Sequence, residues 1–326
     1  MTPSHLPRRA LMLTGLGLLA GKALSQGARP LKIVVPFAPG GGNDVFARQM
    51  AKGLGDVRPE GVIVENKPGA GGNLGTEQVV RSAPDGLTLL LGHSGTVSIN
   101  QALYKHLKYD TSRDLLPVAM FASSALVLVV PAASGIRSVA DLVALAKAQP
   151  GAVNYASSGG GTGAHLTGEL FAQRIGATMN HIPYKGTAPA LTDLAGGQVQ
   201  MMFSVLPPAL SLVQGGRLRA LAVTGSRRNP AMPEVPTLAE SGVPALGSFE
   251  STLSYGLLAP RHTPDALVQA LAAQILAVAA TAQFQSRLGV EGAVPLLGGP
   301  ADYAALIRRE SAKWADIVRV SGATAE

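Results

Sequence analysis

Three glycine-rich turns carry the clearest chemistry in this sequence: Gly40-Gly41-Gly42-Asn43, Pro68-Gly69-Ala70-Gly71-Gly72-Asn73 and Gly159-Gly160-Gly161-Thr162. Each follows a short β-type apolar run and precedes a helical pattern. The first N–H groups of a helix have no internal partner, and the helix N-terminus carries about half a positive charge. Glycine lets backbone approach a bound group closely. One such turn is most often only a tight connection. Three at strand-to-helix turns, the first and last echoing each other about 120 residues apart, point instead to an anion held by backbone N–H groups across a cleft.

Other chemistries fit less well. Gly159-x-Gly161-x-x-Ala164 formally matches a dinucleotide fingerprint, but the next strand ends His181-Ile182-Pro183-Tyr184-Lys185 with no carboxylate for a ribose hydroxyl. Gly69-x-Gly71 runs into Leu74 where a third glycine is needed, and no GxxxxGK[ST] loop is present. Gly92-His93-Ser94-Gly95-Thr96 resembles a nucleophile elbow, which leaves a Ser94 hydrolase as an alternative; the branched Thr96 stands where the sharp turn needs glycine. Ser94 and Thr96 read better as hydroxyl groups at the C-terminal edge of a strand, where open α/β sheets bind ligands. The six histidines show no metal-ligand spacing, so neither a metal nor a cofactor is expected. His165, in the first turn of its helix, reads equally as a site residue or a surface histidine.

The positioning elements alternate. Apolar runs at 31–36, 62–65, 87–91, 126–130, 153–156, 179–183 and 220–223 interleave with helical patterns at 45–54, 74–82 and 165–175, which predicts an α/β fold with largely parallel sheets. A long helix is expected over 264–282 and another over 300–320, joined by a Gly/Pro-punctuated loop with one short strand. Residues 225–248 are dense in Gly and Pro and read as a surface excursion beside an interdomain crossing.

Arg8 and Arg9 precede an apolar run over 10–20, the pattern of an export signal with a small-x-small cleavage site at Ala23-Leu24-Ser25. Eleven apolar residues fall short of the ~20 that a spanning helix needs. The paired arginines suit Sec export and also a twin-arginine route. With no cysteine there is neither a disulfide nor a lipidation site. Loss of Arg8, Arg9 and Lys22 with the leader takes the net charge from +7 to +4. That balance suits a small anion; scattered basic residues and 4% aromatics argue against nucleic acid. About 300 remaining residues suit two domains.

The motif Ile33-Val34-Val35-Pro36-Phe37-Ala38-Pro39-Gly40-Gly41-Gly42-Asn43-Asp44, with Glu65-Asn66-Lys67-Pro68-Gly69-Ala70-Gly71-Gly72-Asn73 and Ala83-Pro84-Asp85-Gly86, resembles the Bug/TctC receptors, the extracytoplasmic solute receptors of tripartite tricarboxylate transporters. The likeness continues through Asn154-Tyr155-Ala156-Ser157, His181-Ile182-Pro183-Tyr184-Lys185-Gly186, Asp193-Leu194, the stretch from Leu218 to Thr224, Tyr255-Gly256-Leu257-Leu258-Ala259-Pro260 and Lys313-Trp314. It implies a two-lobed, type II periplasmic-binding-protein (Venus-flytrap) fold with mixed, mainly parallel sheets. Lobe 1 would span 29–128 and 250–326, and lobe 2 would be inserted as 129–249.

The resemblance also implies a monomeric periplasmic receptor, not an enzyme, that captures a mono-, di- or tricarboxylate and closes over it. A membrane permease would read the closed form, or a signalling partner in the alternative of a ligand sensor. On lobe 1 the implied ligand residues are Phe37, Pro39, Gly40, Gly41, Gly42, Asn43, Asp44, Gly69, Ala70, Gly71, Asn73, Ser94 and Thr96. On lobe 2 they are Ser157, Gly160, Thr162, His165, Tyr184, Phe203 and Ser204. Two departures bear on the ligand: Ser204 stands where many relatives have Asp, which disfavours an ammonium group, and Ser254 stands where many have Trp.

Overall fold

The computed structural model describes residues 29–40 and 42–324. The expected leader over 1–25 and Gly41 lie outside the described residues. Strands β1 (Leu31–Val35), β2 (Val62–Asn66), β3 (Thr88–His93) and β4 (Leu115–Ala125) are followed by β5 (Val127–Pro131), β6 (Asn154–Ser157), β7 (Asn180–Pro183), β8 (Met201–Ser204) and β9 (Leu218–Val223), and then by β10 (Thr252–Pro260) and β11 (Ala293–Gly298). The main helices are α1 (Gly42–Gly55), α2 (Asn73–Val80), α3 (Val139–Ala148), α4 (Gly163–Ile175), α5 (Thr187–Ala195), α6 (Leu206–Gln214), α7 (Asp265–Ala279), α8 (Ala282–Val290) and α9 (Pro300–Ser321).

The strands form two sheets, in the orders β11-β4-β10-β3-β1-β2 and β7-β6-β8-β5-β9. Both are mixed. The βα alternation produces the parallel ladders β1·β2, β1·β3, β6·β7 and β6·β8, while β4, β5, β9, β10 and β11 pair antiparallel. No main helix stands between β4 and β5 or between β9 and β10, the two places where the chain passes from one sheet to the other.

Strand residues alternate between two apolar faces, as helices on both sides of a sheet demand. In the first sheet Ile33, Val35, Leu89, Leu91 and Leu257 belong to the large buried cluster with Phe46, Met50, Leu271 and Ile275 of α1 and α7. Their neighbours Val34, Leu90 and Leu258 pack on the other face with Val79, Tyr303 and Ile307 of α2 and α9. In the second sheet Leu128, Val130, Met201 and Phe203 face Leu142, Leu166 and Phe171 of α3 and α4. Val127, Val129 and Met202 face Leu191, Leu194 and Ala209 of α5 and α6. Each such fully buried side chain contributes roughly 1.5–3 kcal/mol of transfer free energy.

The helix expected over 264–282 is α7, and the stretch expected after it as a loop begins instead with a second helix, α8. Thr281 Oγ1 accepts the Phe284 N–H and caps a new start, so α8 leaves α7 at 70° before the short strand β11. No single described helix is long and apolar enough to cross a membrane.

Only Leu126 separates β4 in the first sheet from β5 in the second, and the chain returns from β9 to β10 through residues 224–251. Thr224, fully buried, ties the two crossings together. Its hydroxyl accepts the Leu126 N–H at 2.8 Å and donates to the Ser251 carbonyl at 2.5 Å, while its backbone exchanges bonds with Leu126 and Ser251 at 2.9 Å each.

Candidate functional site: a cavity between the lobes

A cavity of about 530 Å³ lies between the two sheets and takes lining from both. That size is ordinary for a small-molecule site. The first sheet's loops contribute Phe37, Gly40, Gly42 and Asn43, then Gly71, His93 and Gly95, and finally Asn100, Leu103 and Tyr104. The second sheet's elements contribute Gly160 to Ala164, Thr187, Met202, Val205, Pro207 and Pro208. Ser124, Leu126, Leu253 and Tyr255 line the end nearest the crossings, together with Glu291.

The β1–α1 turn is held from behind. Asp44, in the first turn of α1, is buried and accepts the Gly40 N–H at 3.0 Å, Arg48 Nε at 2.9 Å and Asn66 Nδ2 at 2.9 Å. Burial opposes ionisation of Asp44, but the bonds from Arg48, Gly40 and Asn66 outweigh it and hold the carboxyl below the usual range. Asn66 Nδ2 also donates to the Phe37 carbonyl. Asp44 therefore uses up the Gly40 N–H and anchors the loop, and its own charge is met by Arg48. The N–H groups of Gly42 and Asn43 keep no acceptor among the described residues. Asn43 Oδ1 is buried with no hydrogen-bond partner.

The turn at 69–72 runs through four successive positive φ angles, at Gly69, Ala70, Gly71 and Gly72. Asn100 Nδ2 donates to the Gly71 carbonyl and to Asn73 Oδ1, which also accepts the Tyr109 hydroxyl. Asn73 thus fixes the turn from below. On β3, His93 Nδ1 accepts the Gly95 N–H at 3.0 Å, which places the ring proton on Nε2. Burial lowers the His93 pKa to about 4, so the ring is neutral at physiological pH. Phe37, His93, Tyr255 and Phe46 form a continuous aromatic wall, with centroid separations of 5.6, 5.2 and 4.8 Å.

On the facing lobe, Thr162 caps α4 by accepting the His165 N–H, and no acidic residue lies in that helix's first turn. The N–H groups of Gly160, Gly163 and Ala164 have no acceptor among the described residues. Gly161 has φ +75°, and a Cβ there would meet Leu103 Cδ2 at 2.0 Å, so only glycine permits this contact between the lobes. His165 Nδ1 accepts the Gly161 N–H at 2.9 Å. Beneath it His165 and His181 stack at 3.7 Å, and His181 Nε2 lies 2.6 Å from Ser157 Oγ. His165 Nε2 is 3.6 Å from Glu169, which also accepts the Tyr155 hydroxyl. Burial, with the His165 ring, lowers the His181 pKa to about 4.

Of the residues singled out in the sequence, Phe37, Gly40, Gly42, Asn43, Gly71, Gly160 and Thr162 line the cavity. Asp44, Asn73, Ser157 and His165 lie behind it as supports. Pro39, Gly69, Ala70, Tyr184 and Phe203 are outside the lining. Ser94 and Thr96 are fully buried: Ser94 Oγ accepts the Ser254 N–H at 2.7 Å and pairs with Ser254 Oγ, and Thr96 Oγ1 bonds back to His93. Ser204 is fully buried and bonds to the Val205 carbonyl, so the substitution there does not reach the lining. Ser254, the other departure, sits behind the wall as the partner of Ser94. The lining residues Phe46, His93, Leu103, Tyr104, Met202, Val205, Pro207, Pro208, Leu253, Tyr255 and Glu291 were not singled out in the sequence. Most are apolar, and apolar lining reads in sequence exactly as core does; His93 and Glu291 carried no spacing signal.

The sequence profile described as "Tripartite tricarboxylate transporter family receptor" matches residues 46–323. The chain belongs to this family. It is 38% identical over 297 residues to Protein BugT of Bordetella pertussis, covering 91% of this chain and 90% of that protein. Among solved structures it is similar to "R. palustris Rpa4515 with adipate", with TM-score 0.81 and 33% identity over 92% of this chain and 99% of that one. It is also similar to "MatC (Rpa3494) from Rhodopseudomonas palustris with bound malate", with TM-score 0.76 and 30% identity over 89% and 99% of the two chains. The two-lobed fold is therefore that of the family's periplasmic binding proteins, which are solute receptors.

Proposed function

We propose that this chain is a periplasmic receptor that captures a small carboxylate in the cavity between its lobes. The observation that carries the reading is the convergence of two helix N-termini, from α1 and α4, on one cavity, with unpaired N–H groups at Gly42, Asn43, Gly160, Gly163 and Ala164. Charge-assisted N–H bonds to a carboxylate are shorter and stronger than neutral ones, and they orient the ligand. Among the described residues no lysine or arginine lines the cavity, so these dipoles are its positive feature. The adipate and malate bound by two similar proteins support the ligand class.

In this reading lobe 1 comprises residues 29–128 and 250–326, and lobe 2 is 129–249. The crossings at Leu126 and residues 224–251 act as the hinge, and closure brings α4 onto a ligand first held by lobe 1. A leader over 1–25 exports the chain, and a tripartite tricarboxylate-type permease receives the closed form. Native mass spectrometry of protein recovered from the periplasm, followed by thermal-shift titration with mono-, di- and tricarboxylates, tests this. A ligand at 100 times its Kd adds about 2.7 kcal/mol to the folded state. A rise of several degrees with carboxylates is expected, and a rise with neutral sugars but with no carboxylate would sink the reading.

A further inference from the structure

Among the described residues, Glu291 is the one formally charged side chain that lines the cavity. It stands at the C-terminal cap of α8, the end of a helix that disfavours an anion. Among the described residues its carboxylate takes no hydrogen bond and no ion pair, unlike Asp44, which is met on three sides. The turn that carries it is fixed: Gly292 meets Leu206 of α6 so closely that a Cβ would lie 2.5 Å from it, and the Gly292 carbonyl accepts Asn229 Nδ2 at 3.0 Å. The next residue, Ala293, pairs with Ser124 beside the crossing. Tyr255, whose phenol is held protonated by burial and by the Glu291 charge, forms the adjoining wall.

Resting on the carboxylate-receptor reading, we infer that Glu291 sets ligand class: the cavity takes a monocarboxylate whose far end carries an ammonium group, and it discriminates against a second carboxylate. The carboxylate end meets the helix N-termini, while the cationic end meets Glu291 near the crossings. A dicarboxylate would bring like charges together in a partly desolvated site, whereas an ammonium group relieves an unpaired carboxylate.

Calorimetric titration of the full mature protein with two matched series tests this: 4-aminobutanoate, butanoate and succinate, and 6-aminohexanoate, hexanoate and adipate. In the better-binding series the amino acid should bind at least about tenfold tighter than the dicarboxylate, the scale of one charge pair in a semi-exposed cleft. Glu291→Gln should erase that preference, bringing the amino acid and the dicarboxylate of the same length to within about twofold of each other. A wild-type protein that prefers the dicarboxylate, or a preference that survives Glu291→Gln, overturns the inference while leaving the receptor reading intact. Failure of every carboxylate in both series to bind overturns both.

Discussion

Asp44 and Ser94 were both read from sequence as groups that touch ligand, and each instead holds up a wall. Their polarity and position after a strand are the same whether the side chain faces the cavity or the interior; the decision falls to rotamer and neighbours, which no spacing rule encodes. The glycines were easier to read, because a backbone N–H at a helix start has nowhere else to donate. Even there Asp44 and His165 take the Gly40 and Gly161 N–H groups, partners visible only in three dimensions. Ser94→Ala should leave carboxylate affinity within about twofold and cost roughly 1–2 kcal/mol of stability, because the Ser254 N–H loses its acceptor. Thermal melts and titrations of both proteins check this. Turnover of an activated ester by the wild type but not by the variant would revive the hydrolase alternative.

Among the elements, those with strong periodicity and glycine punctuation were legible: β1, β2, β3, α1, α4 and α9 lie within a few residues of expectation. The crossing strands β4 and β10 are not legible as strands, since Pro117 interrupts the first run and Gly256 the second. The helix α8 is hidden in the sequence, where its stretch reads as loop, because Thr281 is an unremarkable residue until its hydroxyl is seen to cap. The contact between Gly161 and Leu103 joins an element of each lobe, and it yields a prediction at this scale. Gly161→Ala strains a left-handed residue and drives a methyl into Leu103, at a cost of about 1–3 kcal/mol. Carboxylate affinity should fall at least about tenfold because the loop carrying the α4 N-terminus is displaced. Leu103→Ala in the same chain should restore part of it. Unchanged affinity in the single variant, measured by titration, would show that the loop is not part of the site.

For the whole molecule, the +4 charge expected after leader removal is not concentrated in the cavity, which among the described residues has no basic side chain in its lining; in the proposed reading backbone dipoles draw the anion. Stability should nonetheless depend on pH through the buried imidazoles. His93 and His181 both titrate at about 4 in the folded chain, below the ordinary histidine value near 6.5. Between those limits the unfolded chain takes up protons that the folded chain refuses. Stability is therefore full above about pH 6.5 and declines as pH falls toward 4, on the order of 2 kcal/mol for the pair after allowing for partial solvent access. Chemical denaturation at pH 7 and pH 4.5 checks the sign; His93→Gln with His181→Gln should flatten the dependence.

The central claim is that backbone N–H groups of two helix N-termini hold a carboxylate in this cavity. It is tested most directly by calorimetric titration of the mature protein with its tightest-binding carboxylic acid and with the carboxamide of the same acid, at pH 7. The two share shape and differ in charge. The acid should bind at least about tenfold tighter, the equivalent of 1.4 kcal/mol. Equal affinity for the amide would mean that the helix N-termini do not anchor the ligand.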